Sequence, residues 1–105
     1  MTARLYRRDR GREDAMPIFM IERNYAEQLD VNETAAAEIN LINDDEGVNW
    51  LYSFLSADLR KTYCLYDAPS AEAIKRAAER AGLPADVVVE ITEKVLRTGV
   101  KVAAV

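Results

Sequence analysis

The chain alternates between two kinds of hydrophobic pattern. Apolar residues on alternate positions predict four strands, and apolar residues three or four positions apart predict two helices. The strands are predicted at 17–25, 48–56, 61–66 and 87–95, and the helices at 33–45 and 71–81. Asn32 and Ser70 are suited to cap the helix starts, and Gly47 and Gly82 are suited to end the helices.

This order is strand–helix–strand–strand–helix–strand, with short connections. Right-handed crossovers place both helices on one face of a four-stranded antiparallel sheet with the spatial strand order 4-1-3-2. The sequence therefore predicts an α+β ferredoxin-like βαββαβ sandwich. We expect residues 1–15 to be a disordered basic arm, 16–96 to be the domain and 97–105 to be a tail, with Met16 as a candidate true start.

Strand alternation divides the side chains between two faces of this sheet. The set assigned to the helix side is Phe19, Ile21, Leu51, Leu55, Tyr63 and Leu65. The set assigned to the open side is Ile18, Met20, Glu22, Trp50, Tyr52, Phe54, Thr62, Cys64, Tyr66, Val88 and Glu90. The open side carries more aromatic surface than a soluble monomer usually exposes. We therefore expect a homodimer that covers it, forming a dimeric α/β barrel.

Acidic and thiol groups on this predicted open face suggest a binding site. Glu22, Cys64 and Glu90 are the candidate metal ligands, because a carboxylate among aromatic residues needs a cation, a hydrogen bond or a proton. The candidate ligand-binding residues around them are Trp50, Tyr52, Thr62 and Tyr66. In the alternative interpretation Glu22 pairs with Arg60 or Lys61, or with an arginine of a second copy, and Cys64 is a small buried residue.

Composition limits the function classes. The 105 residues contain no histidine and a single cysteine, so the commonest metal ligand and general base is missing and no internal disulfide forms. The net charge is −4 although the arm is basic, which argues against nucleic-acid binding by the domain. No apolar run suits a membrane span or a signal peptide, so we expect a cytoplasmic protein without a membrane partner.

Four segments resemble a family of small bacterial proteins that includes a nickel-binding, nickel-responsive protein. The segments are 21–23, 47–50 continuing to Ser53, 58–70 and 72–84, and the resemblance covers about 16–95. It implies a ferredoxin-like dimer and nickel as the metal, with Glu22 and Cys64 at positions that match the family. Tyr52 stands where the family often has a histidine.

Three functions follow as hypotheses. The first is a dimeric protein that binds a metal ion, nickel by the resemblance, or a small molecule in a cavity between the sheets. The second is a cofactor-independent enzyme of the dimeric α/β-barrel type, such as an oxygenase, isomerase or lyase, by analogy of fold alone. The third is a protein-interaction module. The absence of histidine and of a recognisable catalytic arrangement favours binding over catalysis.

Overall fold

A computed structural model describes residues 16–105. Its main elements follow the predicted order: β1 Ile18–Asn24, α1 Glu33–Glu46, β2 Asn49–Leu55, β3 Lys61–Asp67, α2 Ala71–Ala81 and β4 Val87–Ile91. The four strands form one antiparallel sheet in the order β2-β3-β1-β4. The predicted α+β ferredoxin-like fold and its strand order are confirmed, and the predicted arm 1–15 lies outside the described residues.

Both helices begin and end where the sequence predicts. Asn32 Oδ1 accepts a hydrogen bond from the Ala35 amide at 2.8 Å, and Ser70 Oγ accepts one from the Ala73 amide at 3.2 Å. Gly47 and Gly82 end the helices with φ of 74° and 71°. These left-handed conformations cost glycine little, because it has no Cβ to clash.

The pairing of β1 with β3 corrects the predicted division of the faces. Ile21 lies opposite Cys64, and Phe19 lies opposite Tyr66. Opposed residues of an antiparallel pair project to the same side, so Thr62, Cys64 and Tyr66 face the helices. Their predicted place on the open face is wrong, and so is the place of Tyr63 and Leu65 beneath the helices. The physical reason is that β3 is apolar on both of its faces, so alternation alone does not fix its orientation.

A β-bulge in β2 changes the face of one aromatic residue. Trp50 lies opposite Tyr66, but the next paired residue is Tyr52, opposite Leu65. The extra residue Leu51 shifts the alternation by one position. Trp50 therefore faces the helices, contrary to prediction. Tyr52 and Phe54 lie on the open face, as predicted.

The core lies between the helices and the sheet. Its buried members are Phe19, Ile21, Val48, Cys64, Tyr66, Ala68, Ala73, Ile74 and Ala77. Val88 packs against this cluster, and Glu90 lies opposite Phe19 in the pairing of β4 with β1. Both were predicted on the open face, and the register places them on the helix side. Glu22, opposite Tyr63, lies on the open side as predicted.

The C-terminal segment departs from the predicted single strand at 87–95. The strand is interrupted after Ile91, and β5 Glu93–Val95 pairs with β6 Lys101–Ala103 in a separate two-stranded sheet. The turn between them is closed by a hydrogen bond from the Leu96 amide to the Val100 carbonyl oxygen at 2.8 Å. Across residues 16–105, no helix has the length and apolar character that crossing a membrane requires.

Truncation of a core side chain tests this packing. Ile74 on α2 is 1% exposed, so we expect Ile74→Ala to lower the free energy of unfolding by about 2–5 kcal/mol. The matched control is Leu41→Ala on α1, where the side chain is 71% exposed and the expected change is within about 0.5 kcal/mol. Urea unfolding followed by circular dichroism measures both values, and equal losses would contradict the assigned core.

Candidate functional site

A cavity of about 570 Å³ lies on the helix side of the sheet, beneath α1 and the segment that precedes it. Helix α1 contributes Ala35, Ile39 and Ile42 to its wall, while Leu41 projects to solvent. Ala35 has a short side chain, so this part of the helix leaves space above the sheet. The volume is typical of a pocket for a small organic molecule.

Arg23 is the buried positive charge of this pocket, whereas Arg80, which also lines it, is exposed and forms ion pairs with Asp45 and Glu46. Arg23 is the third inward-facing residue of β1 after Phe19 and Ile21, and it is only 2% exposed. Its Nη1 donates a hydrogen bond to the Pro84 carbonyl oxygen at 2.5 Å. The guanidinium carbon also lies 5.8 Å from the centre of the Tyr66 ring, within range of a cation–π contact.

A short chain of hydrogen bonds forms the floor of the pocket. The Tyr25 hydroxyl lies 3.0 Å from Thr62 Oγ1, and the Cys64 thiol donates to the same oxygen at 3.5 Å. Thr62 and Cys64 are each 5% exposed. Their polar atoms are therefore satisfied largely by one another, as buried polar groups require.

Burial favours the neutral form of the two tyrosines of the pocket. Desolvation raises the pKa of Tyr25 above its usual value, with the Thr62 hydrogen bond acting in the opposite direction. Desolvation likewise raises the pKa of Tyr66, against the effect of the nearby positive Arg23. Both hydroxyl groups remain protonated at neutral pH and can donate a hydrogen bond to a ligand.

Three of the four predicted ligand-binding residues lie in this pocket. Trp50, Thr62 and Tyr66 line it, and the Trp50 indole nitrogen donates to Ser53 Oγ at 2.9 Å. Tyr52 lies on the open face instead, where its ring meets Phe54 edge-to-face at 5.6 Å between centres. The pocket therefore lies between the sheet and the helices of one chain. The sequence predicts it on the open face of the sheet instead.

The three predicted metal ligands do not come together in one chain. Glu22 is on the open face, where its carboxylate lies 3.2 Å from Lys61 Nζ, the pairing foreseen in the alternative interpretation. Cys64 lies on the opposite side of the sheet, buried in the pocket wall. Glu90 is an exposed residue of β4. Glu22 is paired with Tyr63, the residue before Cys64. Because neighbouring positions of a strand face opposite sides, the Glu22 carboxylate and the Cys64 thiol lie on different faces of the sheet.

Arg23 and Tyr25 are site residues that were not predicted from the sequence. Arg23 carried a signal, because it continues the inward alternation of Phe19 and Ile21 with a charged side chain. A charge at a core-facing strand position is a candidate functional group. Tyr25 gave no such signal, because it lies just beyond the end of β1 and reaches Thr62 only through the fold.

Comparison with known proteins identifies relatives for most of the folded part. The model of a family described as "Nickel responsive protein SCO4226-like" matches residues 19–91. The crystal structure of SCO4226 from Streptomyces coelicolor A3(2) is similar, with a TM-score of 0.62 and 29% sequence identity. That similarity covers 70% of this chain and 94% of the other. No curated protein matches the chain.

The donor groups of a single chain do not fit a nickel centre. Nickel favours imidazole and thiolate ligands, but the chain has no histidine, and Cys64 is buried and donates to Thr62. Within residues 16–105, no three or more cysteine, aspartate or glutamate side chains are grouped so that they could hold a metal. The predicted metal site of Glu22, Cys64 and Glu90 is not assembled within one chain, and the binding of a metal ion stays a prediction.

A nickel titration distinguishes binding through the Glu22 carboxylate from binding through the Cys64 thiol. We expect no thiolate-to-nickel absorption band, because Cys64 faces the pocket, and we expect Cys64→Ser to leave the heat of nickel addition unchanged. Glu22→Gln is expected to reduce that heat, and Glu27→Gln in the exposed segment after β1 is the matched control. A charge-transfer band that disappears in Cys64→Ser would contradict this geometry.

Proposed function

Because the chain belongs to the nickel-responsive SCO4226-like family, we propose that it is a binding protein of a nickel response whose small ligand occupies the pocket beneath α1. The observation that carries this proposal is the combination of an apolar cavity with a few inward-facing polar groups. Small-molecule sites have this composition, with polar groups that fix the orientation of a ligand held mainly by apolar contacts.

The polar groups lie together on the sheet side of the pocket. Arg23, Thr62, Cys64 and Tyr66 come from adjacent inward positions of the paired strands β1 and β3. Side chains on paired strands are held by the backbone ladder, so their spacing does not depend on a mobile loop. The apolar side of the pocket comes from α1 and from the segment before it, as a binding site for an amphipathic molecule requires.

We also propose that the open face of the sheet pairs two chains as a homodimer. Tyr52 and Phe54 are 46% and 60% exposed there, and Met20 of β1 is exposed on the same face, with β3 between the two strands. The ion pair of Glu22 with Lys61 offsets one negative and one positive charge on this face, which reduces the repulsion between two copies. The ligand pocket lies on the other side of the sheet and would remain accessible in such a dimer.

A neutral fluorescent ligand tests the pocket. N-phenyl-1-naphthylamine is expected to bind the full chain and to accept energy from Trp50, the only tryptophan, which lines the cavity. Ala35→Leu places a larger side chain in the cavity wall, and we expect it to weaken this binding about tenfold. Fluorescence titration with excitation of Trp50 measures both effects.

The control for this variant is on the same helix. Ala37 is exposed and is not among the residues that line the cavity, so Ala37→Leu adds the same bulk outside it. It is expected to bind the dye as the parent chain does. If Ala35→Leu also kept the parent affinity, or if the bound dye received no energy from Trp50, the dye would not be in this pocket and the proposed function would fail.

Light scattering coupled to gel filtration tests the homodimer. We expect the mass of two chains for the parent protein and the mass of one for Phe54→Glu, because the variant places a charge in the apolar interface. Leu41→Glu is the control, since Leu41 is equally apolar and exposed but lies on α1, away from the open face. A parent protein of single-chain mass would exclude pairing through this face.

A further inference from the structure

The burial of Arg23 is the feature of the pocket that the binding function alone does not explain. The side chain is 2% exposed although arginine is rarely buried without a partner of opposite charge. Removing a guanidinium group from water is costly, and the cost is recovered only through ion pairing and hydrogen bonds. Its surroundings should therefore contain a compensating anion.

No carboxylate of residues 16–105 lies within ion-pair distance of Arg23. None of the ion pairs formed among them includes Arg23, and its neutral partners are the Pro84 carbonyl oxygen and the Tyr66 hydroxyl, the latter at 3.5 Å from Nη2. A guanidinium group has five N–H donors, so these two contacts leave most of them for other acceptors. Arg23 is one of the residues that line the cavity.

We propose that the ligand of this pocket is an apolar monocarboxylate whose carboxylate binds Arg23, an inference that rests on the function proposed above. The planar guanidinium group matches the geometry of a carboxylate and can donate two parallel hydrogen bonds to it. Tyr66 lies beside Arg23, and its protonated hydroxyl can donate a further bond.

The remaining wall of the pocket selects the rest of the molecule. Most of it is aliphatic and suits a hydrocarbon body. The aliphatic side chains are Leu29 and Val31 from the segment before α1, Ile39 and Ile42 from α1, and Leu83 just after α2. Asp30 and Glu38 line the cavity but are exposed, so they lie at its mouth. Their charges disfavour phosphates and polycarboxylates, which would keep a negative charge near them.

The charge of the ligand can be varied without changing the protein. We expect octanoate to bind the full chain at least about tenfold more tightly than 1-octanol, which has the same chain length without the charge. Octylamine, with the opposite charge, is expected to bind more weakly than either. Trp50 fluorescence and titration calorimetry follow the binding, and 3-phenylpropanoate distinguishes an aromatic body from the alkyl chain of a fatty acid.

Substitution of Arg23 then assigns the preference to one residue. Arg23→Met keeps much of the side-chain volume without the charge, and it is expected to abolish the preference for octanoate over 1-octanol, measured as the ratio of the two affinities in the same variant. Arg23→Lys is expected to retain part of the preference, since it keeps the charge without the planar fork. Arg97→Met, in the exposed turn between β5 and β6, is the control.

The outcomes separate this inference from the proposed function. If octanoate and 1-octanol bind equally to the parent chain, or if Arg23→Met keeps the preference, the monocarboxylate assignment is overturned while the pocket remains a binding site. If none of these compounds and no neutral dye binds beneath α1, both proposals fail. Should Arg23→Met not fold, the comparison of the three eight-carbon compounds on the parent chain still decides the assignment.

Discussion

The pairing register of the two central strands is the constraint on which the rest of the structure depends. Ile21 lies opposite Cys64, and this pairing places Thr62, Cys64 and Tyr66 under the helices together with Arg23. A shift of one residue would exchange the two faces of β3 and would move the thiol and hydroxyl groups to the open side. The pocket, its charge and its hydrogen bonds exist because of this one alignment.

Features determined by local sequence could be predicted, and so could the order of the strands, whereas the register of their pairing could not. Asn32 and Gly47 mark the ends of α1 through short-range hydrogen bonding and backbone conformation, which need no knowledge of the tertiary fold. The face of β3 depends instead on which neighbours it meets, and both of its faces are apolar. The bulge at Leu51 likewise arises only when β2 pairs with β3, and it moves Trp50 to the helix side.

The candidate site was predictable in its chemistry more than in its location. Trp50, Thr62 and Tyr66 were expected to bind a ligand, and they line one cavity, but they do so on the opposite side of the sheet from Glu22. The cavity itself depends on how α1 packs against the sheet, which periodicity does not reveal. Arg23 was the one missed residue that the alternation of β1 marks plainly.

Nuclear Overhauser contacts of the Tyr66 ring test the central claim most directly, because this side chain belongs to the open face in one register and to the helix side in the other. The structure places Tyr66 with Ile74 and Ala78 of α2 around a common small void. We therefore predict contacts from the Tyr66 ring protons to the methyl groups of both residues. Contacts to Met20 and Tyr52 in their place would show that β3 faces the other way, and the account of the pocket would be wrong.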